Sequence, residues 1–153
     1  LLDRGRLLTL LHHAQCLVDL QAAVQQVRHL LGEQDDLRAL QLRRFEVARR
    51  LQANLRESDV LARIGGEEFL AILPRSCISV ARRVAERLCE VMDDQPIRLM
   101  SGEELRVTVS IGVAVAGTDG SFAVEGLVEQ ADLALLESKG AGRNQVTYRV
   151  SAA

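Results

Sequence analysis

From Leu105 to Val115 every second residue is apolar: Leu105, Val107, Val109, Ile111, Val113 and Val115, with Thr108 and Ser110 between them. A period of two is the repeat of a β-strand, whose successive side chains point to opposite faces. So long an alternation commits this chain to a sheet. Ile97–Met100 precedes it across Ser101-Gly102-Glu103-Glu104, and the two read as a hairpin. Val60–Ile64 and Phe69–Leu73 read as another, joined through Gly65-Gly66, because glycine takes positive φ without steric penalty. Hairpins pair antiparallel, so the sheet is mainly antiparallel.

The remaining segments supply helices to cover it. Leu1, Leu7, Leu8, Leu10 and Leu11 outline an apolar face over 1–13. Cys16–Leu20 reads as a strand that brings Asp19 out near its end, with a continuous helix as the alternative. A helix over 22–31 stops at Gly32. Asp35 or Asp36 caps a longer one through Leu37, Leu40, Val47, Ala48, Leu51 and Leu55. Ser76 or Ser79 caps a third, with Val80, Ala81, Val84, Ala85, Leu88, Val91 and Met92 on its inner face. Val124 to Ser138 makes a fourth, ended by Gly140 and Gly142, and Val146–Val150 is a final strand. Helices that must cover the faces of such a sheet make an α/β sandwich.

At 153 residues the chain is one domain with a sizeable core. A formal net charge of −2 gives no basic field for nucleic acid, and with no Trp, one Tyr and three Phe there is no base-stacking platform. The arginines at 43, 44, 49 and 50 fall at helical spacing and read as a solvated face. Cys16, Cys77 and Cys89 form no C-x-x-C pair and each stands in an apolar stretch, which reads as small buried thiols in a reducing, cytoplasmic setting. No apolar run approaches membrane-spanning length. The chain opens inside a Leu-rich pattern, so it reads as the C-terminal output domain of a longer protein, with a sensor or regulatory domain upstream.

Gly65-Gly66 is followed by Glu67-Glu68, two adjacent carboxylates at a tight turn. Held together they repel and ask for a cation; the bland alternative is a solvated hairpin tip. Ser138-Lys139-Gly140-Ala141-Gly142-Arg143-Asn144 offers exposed backbone N–H groups and two cations, which suit a triphosphate and equally suit a helix end. Arg56-x-x-Asp59 alone reads as a surface ion pair.

In order along the chain, Arg56-x-x-Asp59, Gly65-Gly66-Glu67-Glu68-Phe69, Ser110–Ala114, Ala131–Leu135 and Lys139-x-x-Gly142-Arg143-Asn144 resemble the motifs of the GGDEF family, the diguanylate cyclases. The match is dense from Arg43 to Arg149 and sparse from Leu1 to Leu42. The resemblance implies a palm-like, ferredoxin-like core shared with nucleotidyl cyclases. It implies that two GTP condense to cyclic di-GMP plus two pyrophosphates across a homodimer. It assigns Mg²⁺ (or Mn²⁺) to Asp19 and Glu67. Catalysis falls to Glu67 and Glu68, and substrate binding to Gly65, Gly66, Asp36, Lys139 and Arg143. It also implies an inhibitory cyclic di-GMP site at Arg56, Asp59 and Arg87. Gln21 stands where the family has a second Asp, and Val27 where it has a guanine-reading Asn. Those departures open a second reading, a catalytically impaired domain that acts as a cyclic di-GMP receptor.

Overall fold

A computed structural model describes the backbone of residues 16–23 and 124–125, and backbone and side chains of 44–98, 102, 104–116 and 126–150. The described elements are β1 (Cys16–Ala23), α1 (44–53), β2 (Val60–Arg63), β3 (Glu68–Ile72), α2 (Ile78–Asp94), β4 (Ile97–Arg98), β5 (Glu104–Leu105), β6 (Thr108–Val115), α3 (Val124–Gly140) and β7 (Val146–Val150). Five strands form one sheet in the order β2-β3-β1-β6-β7. Every pairing is antiparallel except β6 with β7, which run parallel with α3 as the crossover. The α/β architecture with a mainly antiparallel sheet is therefore as the sequence implies. Among the described residues no helix is long and apolar enough to cross a membrane.

The core lies on both faces. Phe69 and Ala71 of β3 and Val109, Ile111 and Val113 of β6 pack with α1 (Val47, Leu51) and α2 (Ala81, Val84, Ala85, Leu88, Met92). Leu70, Ile72 and Ala114 pack with Leu127 and Ala131 of α3 on the other face. Burial on both faces explains why Phe69–Leu73 reads as an unbroken apolar run rather than an alternation. Position 112 of β6 is glycine because α3 lies against it: a Cβ there would stand 2.2 Å from the Ala131 carbonyl oxygen and 2.2 Å from the Leu135 nitrogen.

Several expectations are corrected. The Leu105–Val115 alternation does not form one strand. β5 ends at Leu105 and β6 starts at Thr108, and among the described residues that hairpin keeps the pairs Ile97–Leu105 and Arg98–Glu104, as a separate two-stranded ladder. The period persists across the break because Val107 is buried there as well. β1 continues to Ala23, where Ala22 and Ala23 pair with Val109 and Thr108, so the next helix does not begin at residue 22. Neither serine caps α2; its N-cap is Cys77, with no side-chain capping bond. Cys77 is exposed rather than buried, and Cys89 is half-buried. Hydrogen bonds from the Ser79 hydroxyl and the Val80 backbone hold the Cys77 thiol below its ordinary value. The helix expected over 1–13, the remainder of that expected over 22–31 and the cap at Asp35 or Asp36 lie outside the described residues.

Arg50 is not on a solvated face; it is 8% exposed. Its guanidinium donates to the carbonyl oxygens of Gln95 and Pro96, where α2 ends, and to Glu46 at 2.8 Å. Glu46 also receives Arg49 at 2.8 Å. The Arg49 hydrogen bond, with Arg50 beside it, holds the Glu46 carboxyl down at about 2. A carboxyl depressed in the fold stabilises it above the ordinary carboxylate value of 4.5, and that contribution is lost as pH falls toward 2. Urea midpoints between pH 5 and pH 2 are therefore expected to fall less steeply in Glu46→Gln than in the parent chain; parallel curves would remove Glu46 from the acid response.

Candidate functional site

The strand register decides which loops meet. Phe69 of β3 pairs with Leu20 of β1, Leu20 with Ile111 of β6, and Ile111 with Val146 of β7, forming one row across the sheet. β3, β6 and β7 all run the same way, against β1. The hairpin tip at 64–67, the C-terminal end of β1 and the 139–145 loop therefore share one end of the sheet. β3 and β7 are three strand spacings apart, about 14 Å.

The hairpin tip is a four-residue connection. The backbone N–H groups of Ile64 and Gly65 both donate to the Glu68 carbonyl oxygen, at 3.0 and 3.3 Å, and Arg63 Nη2 donates to the Gly66 carbonyl oxygen at 3.0 Å. Among the described glycines, positive φ occurs at Gly102 and Gly142, not at Gly65 or Gly66. A Cβ on Gly65 would lie 2.4 Å from Glu68 Oε2, so the Glu68 side chain folds back over the turn, while a Cβ on Gly66 would meet nothing within 4 Å. Glu67 is exposed at the tip and Glu68 is half-buried. The turn thus presents one carboxylate outward and holds the other against its own backbone.

Asp19 is not at the end of its strand. It pairs with Leu70 and Gly112, four residues before β1 ends at Ala23. Gln21 pairs with Glu68, so Asp19 lies two residues, about 7 Å, from the row on which β3 begins. The strand is central, flanked by β3 and β6. Asp36 and Val27 lie outside the described residues.

The 139–145 loop is built on the end of α3. Ala141 N–H donates to the Glu137 carbonyl at 2.9 Å and Arg143 N–H to the Ser138 carbonyl at 3.1 Å. These bonds satisfy carbonyls that a helix end leaves open, and Gly142 supplies the left-handed residue that such an ending uses. Lys139 is half-buried, and Arg143 extends from an exposed position. The loop is at once a helix cap and a pair of cations over exposed backbone.

Arg56 and Asp59 do not behave as a surface ion pair. Asp59 is 7% exposed, and its Oδ2 accepts the backbone N–H of Arg56 at 2.9 Å, while Asp59 N–H donates to the Arg56 carbonyl at 3.0 Å. This closes the turn between α1 and β2. Arg56 is exposed. Arg87, on α2, donates from Nη2 to the Asn54 carbonyl oxygen at 2.6 Å, two residues before Arg56. The structure therefore draws Arg56, Asp59 and Arg87 to one corner. The Asn54 contact had no sequence signal, because it spans 33 positions.

Residues 42–145 match the family profile described as "Diguanylate cyclase, GGDEF domain". Diguanylate cyclase A of Treponema denticola is 42% identical over 102 residues, which are 67% of this chain and 27% of that protein. The response regulator PleD of Caulobacter vibrioides is 39% identical over 107 residues, 69% of this chain and 23% of its own length. The chain thus spans about a quarter of the curated relatives it matches. Among solved structures, the diguanylate cyclase SiaD of Pseudomonas aeruginosa, in complex with its activator SiaC, superposes with a TM-score of 0.79 at 30% identity, over 95% of this chain and 58% of that one. The GGDEF domain of DgcB from Caulobacter crescentus, in complex with c-di-GMP, superposes with a TM-score of 0.73 at 29% identity, over 87% and 76%.

Proposed function

The chain belongs to the GGDEF family, and from that premise we propose that it is a diguanylate cyclase domain. It condenses two GTP into cyclic di-GMP and two pyrophosphates across a homodimer, with product inhibition at the Arg56-x-x-Asp59 site. The observation that carries this reading is the shared row of Phe69, Leu20, Ile111 and Val146, which sets a carboxylate-bearing turn and a cationic loop at one end of one sheet. A receptor for the product alone has no need of either.

Each step follows from what the residues can do. Lys139 and Arg143 neutralise and orient the triphosphate, as a point charge and a planar fork. Gly66, where a Cβ would meet nothing within 4 Å, lets a phosphate or ribose approach the backbone of the turn, beside Gly65 under the Glu68 side chain. Asp36 reads the guanine edge. Glu67 and Asp19 would hold Mg²⁺, and Glu68, folded over Gly65, would orient that site or the ribose. The donor set fits: Mg²⁺ takes one or two carboxylates and completes its shell with phosphate and water, needing no cluster of three protein ligands, and among the described residues there is none. When bound, the ion makes the attacking hydroxyl more acidic and stabilises charge on the α-phosphate. The 3′-oxygen of one GTP forms a bond to the α-phosphorus of the other and gives up its proton to water, and the bond from the α-phosphorus to the α–β bridging oxygen breaks to release pyrophosphate. Because each nucleotide is both nucleophile and electrophile, two domains must face each other. Assembly is then the control point, exercised by a sensor or regulatory domain elsewhere in a cytoplasmic protein.

The receptor reading draws on Gln21 and Val27, and on a family match that starts only at residue 42. Incubation of the purified dimer with GTP and Mg²⁺, followed by product chromatography, separates the two. Cyclic di-GMP is the expected product. A verified dimer that forms none, yet binds added cyclic di-GMP at micromolar concentration, would establish the receptor.

At the inhibitory corner, structure and recognition separate by mutation. Asp59→Ala leaves the Arg56 N–H without its acceptor and is expected to lower stability by about 1–2 kcal/mol. Arg56→Ala removes only an exposed guanidinium. It is expected to leave the melting temperature unchanged and to weaken cyclic di-GMP binding by about tenfold or more, the scale of one charge-assisted contact. Unchanged product affinity in calorimetry would remove Arg56 from the site.

A further inference from the structure

Gly142, Arg143 and Asn144 are consecutive residues with φ of +116°, +63° and +48°. Glycine adopts such values freely; residues with a Cβ do so where their surroundings over-determine them. Contacts reach this segment from two sides. On the α3 side, Ser138 Oγ donates to the Gln145 carbonyl oxygen at 2.7 Å and Gln145 Nε2 donates to the Ser138 carbonyl oxygen at 2.9 Å. On the α2 side, Asn144 Nδ2 donates to Asp93 Oδ2 at 3.1 Å, and the Cys89 thiol stands between two acceptors, the Val109 carbonyl oxygen at 3.4 Å and Asn144 Oδ1 at 3.5 Å. Burial, with Asp93 and Glu90 nearby, pushes the Cys89 thiol up to about 11, so it stays a donor. The same helix is fastened to β7 one and two turns earlier: Tyr148 donates to Glu86 at 3.1 Å, and the Arg82 guanidinium lies 4.8 Å over the Tyr148 ring.

The contacts with α3 already close the helix end. Those with α2 do something else. Arg143 is exposed, so packing does not aim its side chain; the backbone angle at 143 does. We infer that Asp93 is a positioning residue, which acts through Asn144 to hold Arg143 in its left-handed conformation and so aim its guanidinium at the triphosphate. The inference rests on the reading of Arg143 as a triphosphate ligand. Without the α2 contacts, residues 143 and 144 relax toward negative φ, and the Arg143 side chain leaves the loop in a different direction.

The test compares Asp93→Ala with Asp93→Asn, which keeps a carbonyl oxygen to accept from Asn144. Backbone HN–Hα couplings and Cα shifts at 143 and 144 report the left-handed conformation, and titration with a non-hydrolysable GTP analogue in Mg²⁺ reports the site. Asp93→Ala is expected to lose the left-handed signature and to weaken the analogue about tenfold, the scale of one misplaced charged contact. Asp93→Asn is expected to keep both, and cyclic di-GMP binding stays as in the parent chain throughout. Unchanged couplings in Asp93→Ala overturn the inference, as does a loss of affinity that Asp93→Asn fails to restore. A parent chain that binds no analogue refutes the cyclase reading and with it Arg143 as a ligand; the couplings then decide separately whether α2 clamps the loop.

Discussion

Gly112→Ala is expected to destabilise the domain by about 3 kcal/mol, the upper range for forcing extra volume into a packed core. The added methyl would meet the Ala131 carbonyl oxygen and the Leu135 nitrogen at 2.2 Å and the Leu135 Cα at 2.8 Å. All three are backbone atoms of α3, so no rotamer change relieves the contact; the helix must move off the sheet. Moving it separates Leu127 and Ala131 from Leu70, Ile72 and Ala114, the cluster that fills this face. Position 112 also pairs with Asp19 and with Thr147, so the displacement reaches the strands that frame the site. Gly126→Ala is the control. Nothing lies within 4 Å of a Cβ there, and in a helix the change is expected to add about 0.5–1 kcal/mol. Urea denaturation with an unchanged slope reads both. A Gly112→Ala midpoint within error of the parent would mean that α3 does not approach β6 this closely.

Glu67→Gln is expected to lower cyclic di-GMP formation by about a thousandfold or more, which corresponds to roughly 4 kcal/mol of lost transition-state stabilisation. Glutamine keeps the length and the amide oxygen but not the charge, so the variant isolates the anionic donor of the proposed metal site. Glu67 is exposed at the tip, so the folded state is expected to tolerate the change. Cyclic di-GMP binding at Arg56 and Arg87 is expected to persist, because those residues lie beyond the hairpin on the α1–β2 turn and on α2. Turnover within a few-fold of the parent would dismiss Glu67 as a metal ligand. Loss of both turnover and product binding would instead indicate a folding defect.

What was legible in the sequence was local. The β2–β3 hairpin lies within one residue of its apolar runs, β7 coincides with Val146–Val150, and α2 follows its three-and-four repeat. In each case a short-range period reports which residues must be buried. The same signal misleads where burial and hydrogen bonding part. Val107 continues the alternation while standing outside both flanking strands. Gly65-Gly66 marks a turn, but the four-residue connection reaches its geometry without positive φ, and what a Cβ on Gly65 would meet is the Glu68 side chain. Asp59 and Arg50 look like surface charges in the sequence. They are buried because one closes a turn and the other bonds carbonyls 45 and 46 positions away.

The sequence by itself determined the inventory: two carboxylates on a glycine turn, two cations on a glycine loop, Arg56-x-x-Asp59, and the strands and helices that carry them. Only the tertiary structure decided which of these share an end of the sheet. β1, the first strand described along the chain, inserts between β3 and β6, and β7 adds beside β6. That order is not written in any window of residues. Strand pairing is a long-range choice, made by which register buries both faces of β3 and β6 beneath α1, α2 and α3 at once, and a one-residue slip would turn each buried row to the opposite face.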